Sequence, residues 1–507
     1  MFARSRIPLR RSYSTRSCTS DSLDQWMRSD RFRHVVRPYT PKQVQQLQPE
    51  HQSIHLSNFM SKKLYSLLRN HQQNGTATST FGSLDPVQVV QMAPHTETIY
   101  VSGWQAASTA ASSNEPGPDY ADYPYDTVPK KVDQLVKALQ FHDRKQKIIS
   151  RKQQTESNVD YYRPIIADAD AGHGGLTSVM KLTKLFIESG AAGIHLEDQR
   201  AGAKRCGHLG GKVLVPIQEH IQRLIAARLQ ADIMENDMVL VARTDAESGC
   251  FIDNNMDIRD HPFILGRLMY PHGSIDVTFP DAVEKLYAYE NCSHEYRREK
   301  YTGYFQTALE RARKDVSTPF SYSWEPLRTA EGFYRVKNGI EYSIARAKAY
   351  APYADILWME TTKPDLSQAQ MFAESIRKHY PSAMMAYNLS PSFNWDAMKM
   401  SDSVLQEFIP KLAQMGFVWQ FITLAGFHVN GLAMTQFARN YGKDGMLAYV
   451  RDIQRVEREN NVSLLKHQQW SGVDLADEAL SVITQGTAST MSTGTNFTET
   501  QFVNNKV

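Results

Sequence analysis

Short apolar runs alternate with stretches of helical periodicity from about residue 160 onwards. The runs are rich in β-branched residues, and their alternation with helical stretches is typical of βα units around a parallel sheet. Repetition of this unit predicts an α/β fold, namely a (β/α)8 barrel of the TIM type. The predicted strands are residues 164–170, 192–197, 238–244, 355–360, 384–390 and 417–423.

The stretches between these runs have the spacing of amphipathic helices. After the first run, Val179, Leu182 and Phe186 fall on one helical face. Gly190 follows them and can end that helix in a left-handed cap. A later helix is predicted to start after Pro216, because proline is favoured at the beginning of a helix.

Each predicted strand is apolar in its body and has a polar residue at its end. The carboxyl ends of all strands in a (β/α)8 barrel meet at one face, where the active site lies. A Rossmann-type sheet would bring fewer strand ends together. The polar residues at the ends are Asp168, Asp170, Glu197, Arg243, Glu360, Asn388, Ser390 and Thr423.

Two parts of the chain depart from this rhythm. Before residue 160 the sequence is polar and helical, with an amphipathic stretch near 56–68 and a small-polar loop at 75–80. Residues 267–327 are charged and rich in tyrosine, which predicts a helical insertion; the alternative is an appendage without chemistry. The predicted divisions are a presequence (1–20), an N-terminal helical extension (21–95), the first part of the barrel with the catalytic loop (96–266), the insertion (267–327), and the second part with C-terminal helices (328–507).

Composition narrows the choice of partners and compartment. The 507 residues carry a net charge of only +3, which gives no electrostatic reason to expect nucleic acid. No apolar run approaches the roughly 20 residues that span a bilayer, so no membrane partner is expected. Four cysteines without a CxxC pair fit a reducing compartment. Residues 1–20 hold five arginines and no acid, which predicts a mitochondrial presequence; a disordered basic tail is the alternative.

The run KRCGHLGGK at 204–212 is the first candidate for chemistry. It places Cys206 between basic residues and His208 on a stretch with three glycines. Glycine permits loop motion, and cationic neighbours lower the pKa of a thiol. An ordinary cysteine in a flexible loop is the alternative, but the charged neighbours make inert burial a poor explanation.

Two further groups of residues suit a metal and a carboxylate. Asp119, Asp168, Asp170 and Glu197 offer only oxygen ligands, which suits a hard cation such as Mg²⁺. These acids could also be plain surface groups. The stretch YNLSPSFNW at 387–395 offers an amide and hydroxyls to a carboxylate, or it is simply a well-capped loop.

Eight motifs then occur in one order, and as a series they resemble the isocitrate lyases. The resemblance runs from about Asp24 to the end of the chain, and the KxCGH motif with its flanks is the most specific part of it. The motifs are SGW (102–104), ADADAGHGG (167–175), HLEDQ (195–199), KRCGHLGGKVLVP (204–216), ARTDAE (242–247), WMETTKPD (358–365), YNLSPSFNW (387–395) and QFITLAGFH (420–428).

The resemblance implies a role for each matching position. Cys206 matches the catalytic cysteine, with Gly207 and His208 as substrate contacts beside it. Tyr100 and Glu360 match active-site residues with a part in proton transfer. The implied metal set is Asp168 as the direct Mg²⁺ ligand, with Asp119, Asp170 and Glu197 acting through water. The implied substrate contacts are Ser102, Gly103, Trp104 and Arg243 for the 2-oxo acid, and Asn388, Ser390, Pro391, Ser392 and Thr423 for succinate. The family also implies a terminal helix exchanged between the subunits of a homotetramer.

The implied reaction is the retro-aldol cleavage of a small tricarboxylate by a Mg²⁺-dependent lyase. Cys206 is expected to protonate the succinate carbon, while the hydroxyl base stays open between Tyr100 and a water on the metal. Two departures from the family are Ala171 and Asp170, where many members have threonine and glutamate. Neither removes a required group.

The substrate is expected to be 2-methylisocitrate, cleaved to pyruvate and succinate in propionate breakdown in the mitochondrial matrix. The presequence, the NNKV ending, which is no peroxisomal signal, and the HLGG sequence after Cys206 favour this expectation. The alternative is isocitrate, cleaved to glyoxylate and succinate. More remote alternatives are a non-catalytic barrel, which would be expected to lose Cys206, Asp168 or Arg243, and another enzyme of the phosphoenolpyruvate-binding barrel group.

Overall fold

The computed structural model describes residues 20–112, 115–156, 159–290 and 295–502. The predicted presequence, residues 1–20, lies outside this part apart from Ser20. Among the residues described, no helix combines the length and the apolar character that crossing a membrane requires.

Seven parallel strands form the central sheet, in the order β1, β2, β3, β5, β11, β12, β13. The strands of the chain are β1 Ile99–Val101, β2 Ile165–Asp168, β3 Gly193–Glu197, β4 Val213–Leu214, β5 Val239–Thr244, β6 Phe251–Ile252, β7 Leu265–Tyr270, β8 Gly273–Thr278, β9 Ser321–Ser323, β10 Tyr334–Arg335, β11 Ile356–Met359, β12 Met384–Asn388 and β13 Phe417–Phe421. The six predicted strands are β2, β3, β5, β11, β12 and β13, so all six are confirmed.

Residues 78–82 close the sheet into a barrel. On one side the amide of Thr78 donates to the carbonyl of Val418 (2.9 Å) and that of Gly82 to the carbonyl of Ile422 (3.0 Å). On the other side the amide of Ser83 donates to the carbonyl of Tyr100 in β1 (3.1 Å). The predicted loop at 75–80 therefore supplies part of the barrel wall, and the barrel begins earlier than residue 96. The pattern hides this segment because its short polar side chains show no strand-like alternation.

The described residues form eighteen α-helices, of which several follow the barrel strands and pack on the outside of the barrel, while others lie in the N-terminal extension, the insertion and the C-terminal region. They are α1 Ser20–Met27, α2 Pro41–Leu47, α3 Leu56–Asn74, α4 Pro86–Met92, α5 Gly103–Thr109, α6 Thr127–Gln153, α7 Leu176–Glu188, α8 Ile217–Ile233, α9 Phe279–Glu290, α10 Phe305–Asp315, α11 Ile340–Tyr350, α12 Leu366–Arg377, α13 Asp402–Met415, α14 Ala425–Asp444, α15 Met446–Tyr449, α16 Arg455–Glu459, α17 His467–Trp470 and α18 Val473–Ile483. The predicted face of α7 is buried, and Gly190 after it has φ +91°, as a left-handed cap requires.

The amino-terminal end of the barrel is closed by the N-terminal extension. Met60, Leu64 and Leu68 on one face of α3 belong to the apolar cluster that fills the barrel interior. Burial of each such side chain contributes about 1.5–3 kcal/mol. In the same region, the carboxylate of Asp355 accepts hydrogen bonds from Nη1 and Nη2 of Arg31 (2.5 and 3.1 Å) and from Nη2 of Arg228 (2.8 Å). The extension is thus a fixed part of the barrel.

The insertion at 267–327 contains the expected helices, α9 and α10, and also a three-stranded antiparallel sheet of β7, β8 and β9. The strands escaped the sequence analysis because charged residues and tyrosines, rather than an apolar–polar alternation, dominate this segment. The insertion has its own apolar core, which is shared with Leu214 in β4 and Ile252 in β6. The insertion therefore packs against the segment that follows the loop at 204–212.

Candidate active site

The predicted residues meet at a cavity of about 130 Å³ at the carboxyl ends of the barrel strands. Of the residues that line it, Leu424 is the one that the sequence analysis did not name. Four other predicted residues, Gly103, Asp170, Glu197 and Pro391, do not line it. The lining residues are Tyr100, Ser102, Trp104, Asp119, Asp168, Cys206, Gly207, His208, Arg243, Glu360, Asn388, Ser390, Ser392, Thr423 and Leu424.

The acidic residues surround a buried ammonium group. Lys204 is 2% exposed, and its Nζ lies 2.7 Å from Asp119 Oδ2, 2.6 Å from Asp170 Oδ1 and 4.0 Å from Glu197 Oε1. Asp170 also accepts a hydrogen bond from the hydroxyl of Tyr123 and lies 3.3 Å from His173 Nε2. The sequence analysis treated Lys204 as a cationic neighbour of the cysteine thiol. It did not identify Tyr123 or His173 as contacts of the acidic residues. The contacts of Lys204 and Tyr123 join separate segments, so spacing could not reveal them. His173 stands three positions after Asp170 in the same motif, so spacing could have indicated this contact.

These acids fit a hard divalent cation. One carboxylate oxygen from each of Asp119, Asp168 and Asp170 lies within 4.8 Å of the other two. Burial raises the pKa of Asp119 to about 7, although Lys204 lowers it in part, and burial together with Asp170 raises the pKa of Asp168 to about 6. Among the described residues, Asp119 Oδ1 is buried with no hydrogen-bond partner. A cation with oxygen preference, such as Mg²⁺, would use these atoms and relieve their repulsion.

The end of β2 is held from β1, from the start of α5 and from β3, where His195 Nε2 lies 3.5 Å from Asp168 Oδ1. The amide of Gly103 donates to Asp168 Oδ2 (3.1 Å), and the hydroxyl of Tyr100 lies 3.5 Å from the same oxygen. Tyr100 also contacts His195 Nε2 at 3.0 Å. Burial lowers the pKa of His195 to about 3, so its imidazole is neutral. His195 is a contact that the sequence analysis missed, although it opens the HLEDQ motif.

Arg243 is held in place from three sides. The register of the sheet pairs Glu197 in β3 with Arg243 in β5, and their side chains lie 3.2 Å apart. Asp245 accepts from Nε and Nη2 of the guanidinium, both at 3.0 Å. The guanidinium carbon also lies 4.6 Å from the centre of the Trp358 ring. Such a group suits bidentate recognition of a carboxylate.

The loop that carries Cys206 lies against this wall. A Cβ built on Gly207 would lie 2.8 Å from Arg243 Nη2 and 2.8 Å from Glu360 Oε1. Glycine therefore allows the loop to approach so closely. Glu360 is in turn held by His208 Nε2 (3.1 Å) and by the amide of Asn388 (3.0 Å).

The thiol of Cys206 departs from the expectation of a lowered pKa. Burial raises its pKa to about 11, Asp119 adds to the increase, and Lys204 and the amide of His208 lower it only in part. The prediction of a net lowering by cationic neighbours was wrong, because the loss of water around the thiolate outweighs them. Arg205 points elsewhere, with its guanidinium 4.7 Å from the centre of the Tyr120 ring.

The opposite wall offers neutral donors. Asn388 ends β12, and Ser390 and Ser392 follow it in a turn in which the amide of Ser392 donates to Ser390 Oγ (3.0 Å). Thr423 and Leu424 follow β13. Hydroxyl and amide groups of this kind bind a carboxylate without adding a charge.

Comparison with known proteins gives the following matches. The sequence model described as the isocitrate lyase family matches residues 19–283 and 277–502. The chain is similar to the isocitrate lyase of Oryza sativa, with 46% identity over 95% of this chain and 92% of the relative. It is also similar to the mitochondrial 2-methylisocitrate lyases of Hypocrea atroviridis (41% identity, 95% and 93% coverage) and Saccharomyces cerevisiae (40% identity, 97% and 95% coverage).

Proposed function

The chain belongs to the isocitrate lyase family and is a lyase, and from this premise we propose that it cleaves a 2-hydroxy tricarboxylate to succinate and a 2-oxo acid. The observation that carries the proposal is the single cavity shared by Cys206, Arg243 and the acidic end of β2. Asn388 and Ser390 line the same cavity from the other side. A cationic wall, a neutral donor wall and a thiol between them suit a substrate with several carboxylates.

Asp119, Asp168 and Asp170, with Glu197 behind them, would hold Mg²⁺, which would act as a Lewis acid for the oxygen that becomes the carbonyl of the 2-oxo acid. Arg243 and residues Ser102–Trp104 at the start of α5 bind the carboxylate of that product. Asn388, Ser390, Ser392 and Thr423 bind the succinate end. The two walls thus hold the halves that separate when the carbon–carbon bond breaks.

Cys206 is the proton donor in this proposal. A base takes the proton of the substrate hydroxyl, the carbon–carbon bond breaks, and its electron pair stays on the succinate carbon. The thiol then donates its proton to that carbon and is left as a thiolate. A thiol with a pKa of about 11 is protonated near neutral pH, which is the form that a proton donor needs. Closure of the loop at 204–212 over the substrate would exclude water and bring the thiol into reach.

Isocitrate is the first candidate substrate, with glyoxylate as the 2-oxo acid. The chain is 46% identical to the rice isocitrate lyase and 41% and 40% identical to the two 2-methylisocitrate lyases over similar coverage. On this difference we place isocitrate first, whereas the sequence analysis placed 2-methylisocitrate first. The difference is small, and a single methyl group is worth only about 1–3 kcal/mol in a pocket, so both substrates belong in the test.

The second candidate is 2-methylisocitrate, with pyruvate as the 2-oxo acid. The basic, acid-free residues 1–20 favour import into the mitochondrial matrix, where propionate breakdown would use this activity. The 2-methylisocitrate lyases of Hypocrea atroviridis and Saccharomyces cerevisiae, to which the chain is similar, are both mitochondrial.

The deciding experiment compares kcat/KM for the two substrates with Mg²⁺, following glyoxylate and pyruvate separately. A higher value for isocitrate supports the first candidate, and a higher value for 2-methylisocitrate supports the second. Cys206→Ala serves as the control for contaminating activity. Cleavage of neither substrate by the wild-type enzyme would refute the proposal.

We also propose a homotetramer in which α14 is exchanged between subunits. Of the twenty residues of α14 only Gly426 is buried, while Val429, Leu432 and Met434 are 60–66% exposed. Large apolar side chains exposed together on one helix mark an interaction surface, and a second copy of the chain would cover this one. Leu432→Asp should reduce the mass measured by light scattering, and an unchanged mass would argue against the exchange.

A further inference from the structure

Lys212 is a buried lysine that the proposed reaction does not use. It ends the loop at 204–212, and its side chain is fully buried. Its Nζ lies 2.8 Å from Asp245 Oδ1 and 2.9 Å from Ser248 Oγ. A buried ammonium is costly, and an apolar residue of similar size would often be at least as stable. Its presence therefore calls for a reason other than stability.

Asp245 joins this lysine to the cavity. Its Oδ1 accepts from both Lys212 Nζ (2.8 Å) and Arg243 Nη2 (3.0 Å), and its Oδ2 accepts from Arg243 Nε (3.0 Å). The two bonds to the guanidinium fix its plane and not only its position. The remaining nitrogen, Nη1, lies beside Glu197 (3.2 Å). Lys212 thus reaches the substrate-binding arginine through one carboxylate.

Lys212 also controls the charge that a substrate meets. The carboxyl groups of Asp245, Glu197 and Glu360 lie close enough to Arg243 to act on its charge, and Asp245 is the one that Lys212 contacts. Lys212 offsets the charge of Asp245 from a position away from the cavity. The positive charge of the Arg243 guanidinium is then left to attract the substrate carboxylate.

The main chain of Lys212 is fixed as well. Its carbonyl accepts from the amides of Cys250 and Phe251, both at 3.2 Å, and β4 begins at the next residue. Gly211, just before it, has φ +76° and open space around it. Lys212 is therefore the fixed end of the loop, and motion of the thiol is confined to the residues before it.

We propose that Lys212 is a positioning residue, which acts through Asp245 to orient Arg243 for the carboxylate of the 2-oxo acid and anchors the end of the cysteine loop in the same network. The inference rests on the proposed lyase function. It assigns Lys212 to the 2-oxo acid half of the cavity alone. Asn388 of the succinate half donates to Glu360 (3.0 Å), and the described hydrogen bonds and ion pairs of Lys212, Asp245 and Arg243 include neither Asn388 nor Ser390.

The test measures binding of glyoxylate, pyruvate and succinate separately to the full-length enzyme with Mg²⁺ by calorimetry. Lys212→Met should weaken binding of the 2-oxo acid by about 10- to 100-fold, as loss of a supporting partner does at other sites. Succinate binding should stay unchanged. A purely structural role would weaken both ligands together. Ser248→Ala is the matched control, since it removes a partner of Lys212 that does not touch Arg243, and it should change neither.

Lys212→Gln is the second variant, because it keeps a hydrogen-bond donor but loses the charge. It should share the loss of 2-oxo acid binding. Equal weakening of both ligands, no weakening, or failure of both variants to fold would overturn the positioning role. If the wild-type enzyme binds neither product, the proposed function itself fails, and the inference fails with it.

Discussion

Gly207→Ala tests whether the loop at 204–212 must lie close to the barrel wall for the reaction to take place. The added Cβ would lie 2.8 Å from Arg243 Nη2 and 2.8 Å from Glu360 Oε1, closer than carbon approaches such atoms. Both atoms end long side chains, but neither is free to move. Arg243 is fixed by Asp245, and Glu360 is fixed by His208 and Asn388. We therefore expect the loop to move away rather than the wall to yield.

The magnitude follows from the cost of overpacking. Inserting a methyl group into a rigid contact costs about 1–3 kcal/mol. If that cost falls on the closed state in which the reaction takes place, kcat/KM should fall by about 5- to 150-fold. The melting temperature should change little, because an opened loop relieves the clash without disturbing the barrel.

Gly210→Ala in the same loop is the matched control. A Cβ at Gly210 would have no neighbour within 4 Å, and neither glycine has a left-handed backbone. Both substitutions restrict the unfolded chain equally, so that effect cancels between them. The assay is steady-state cleavage alongside thermal unfolding of both variants. Equal activity of the two variants, or a lower melting temperature for Gly207→Ala alone, would refute the reasoning.

Three further predictions follow from other contacts. Cys206→Ala should lower kcat by about 10²- to 10⁴-fold, as loss of a proton donor does, with thermal unfolding and succinate binding unchanged; weaker succinate binding would point to a binding role instead. Gly103→Ala would place a Cβ 2.7 Å from Asp168 Oδ2 and should weaken Mg²⁺ binding in calorimetry, and unchanged affinity would argue against Asp168 as a ligand. Asp355→Asn should lower the free energy of unfolding in urea by about 3–5 kcal/mol, because Arg31 and Arg228 lose their charge partner. Burial opposes the charged form of Asp355, but Arg31 and Arg228 hold its pKa well below the ordinary value. The difference in the free energy of unfolding between wild type and Asp355→Asn should therefore persist above about pH 4 and shrink as the pH falls below it.

The strands and the convergence of their ends could be predicted from the sequence for a physical reason. A strand buried on both faces reads as an apolar run, and a polar residue at its end stands out against that run. Asp168, Glu197, Arg243 and Asn388 were found in this way, and the barrel topology then brings them together. The resemblance to the family added Ser102 and Trp104, which the pattern alone does not single out.

Contacts between distant segments could not be predicted. Lys204 contacts Asp119 across 85 positions of the chain, and nothing in the sequence of either segment indicates this contact. Residues 78–82 complete the barrel through their main chain, which leaves no mark on the side-chain pattern. The pKa of Cys206 depends on burial, and burial is a property of the folded loop rather than of its charged neighbours.

The number of hydrogen-bond partners distinguishes the buried acids that stabilise this barrel from those that can bind a ligand. At the amino-terminal end, both oxygens of Asp355 are satisfied by Arg31, Arg228, His34 and the amide of Leu240. At the carboxyl end, within the described residues, Asp119 Oδ1, Glu360 Oε2 and Asn388 Oδ1 are buried without partners. Buried polar atoms without partners cost free energy, so a fold keeps them where a ligand will supply the missing bonds. Arg31 Nε and Arg228 Nε also lack partners at the amino-terminal end, but both oxygens of Asp355 are used there. Among the described residues, the carboxyl end keeps carboxylate and amide oxygens without partners, and that is the end that should bind metal and substrate.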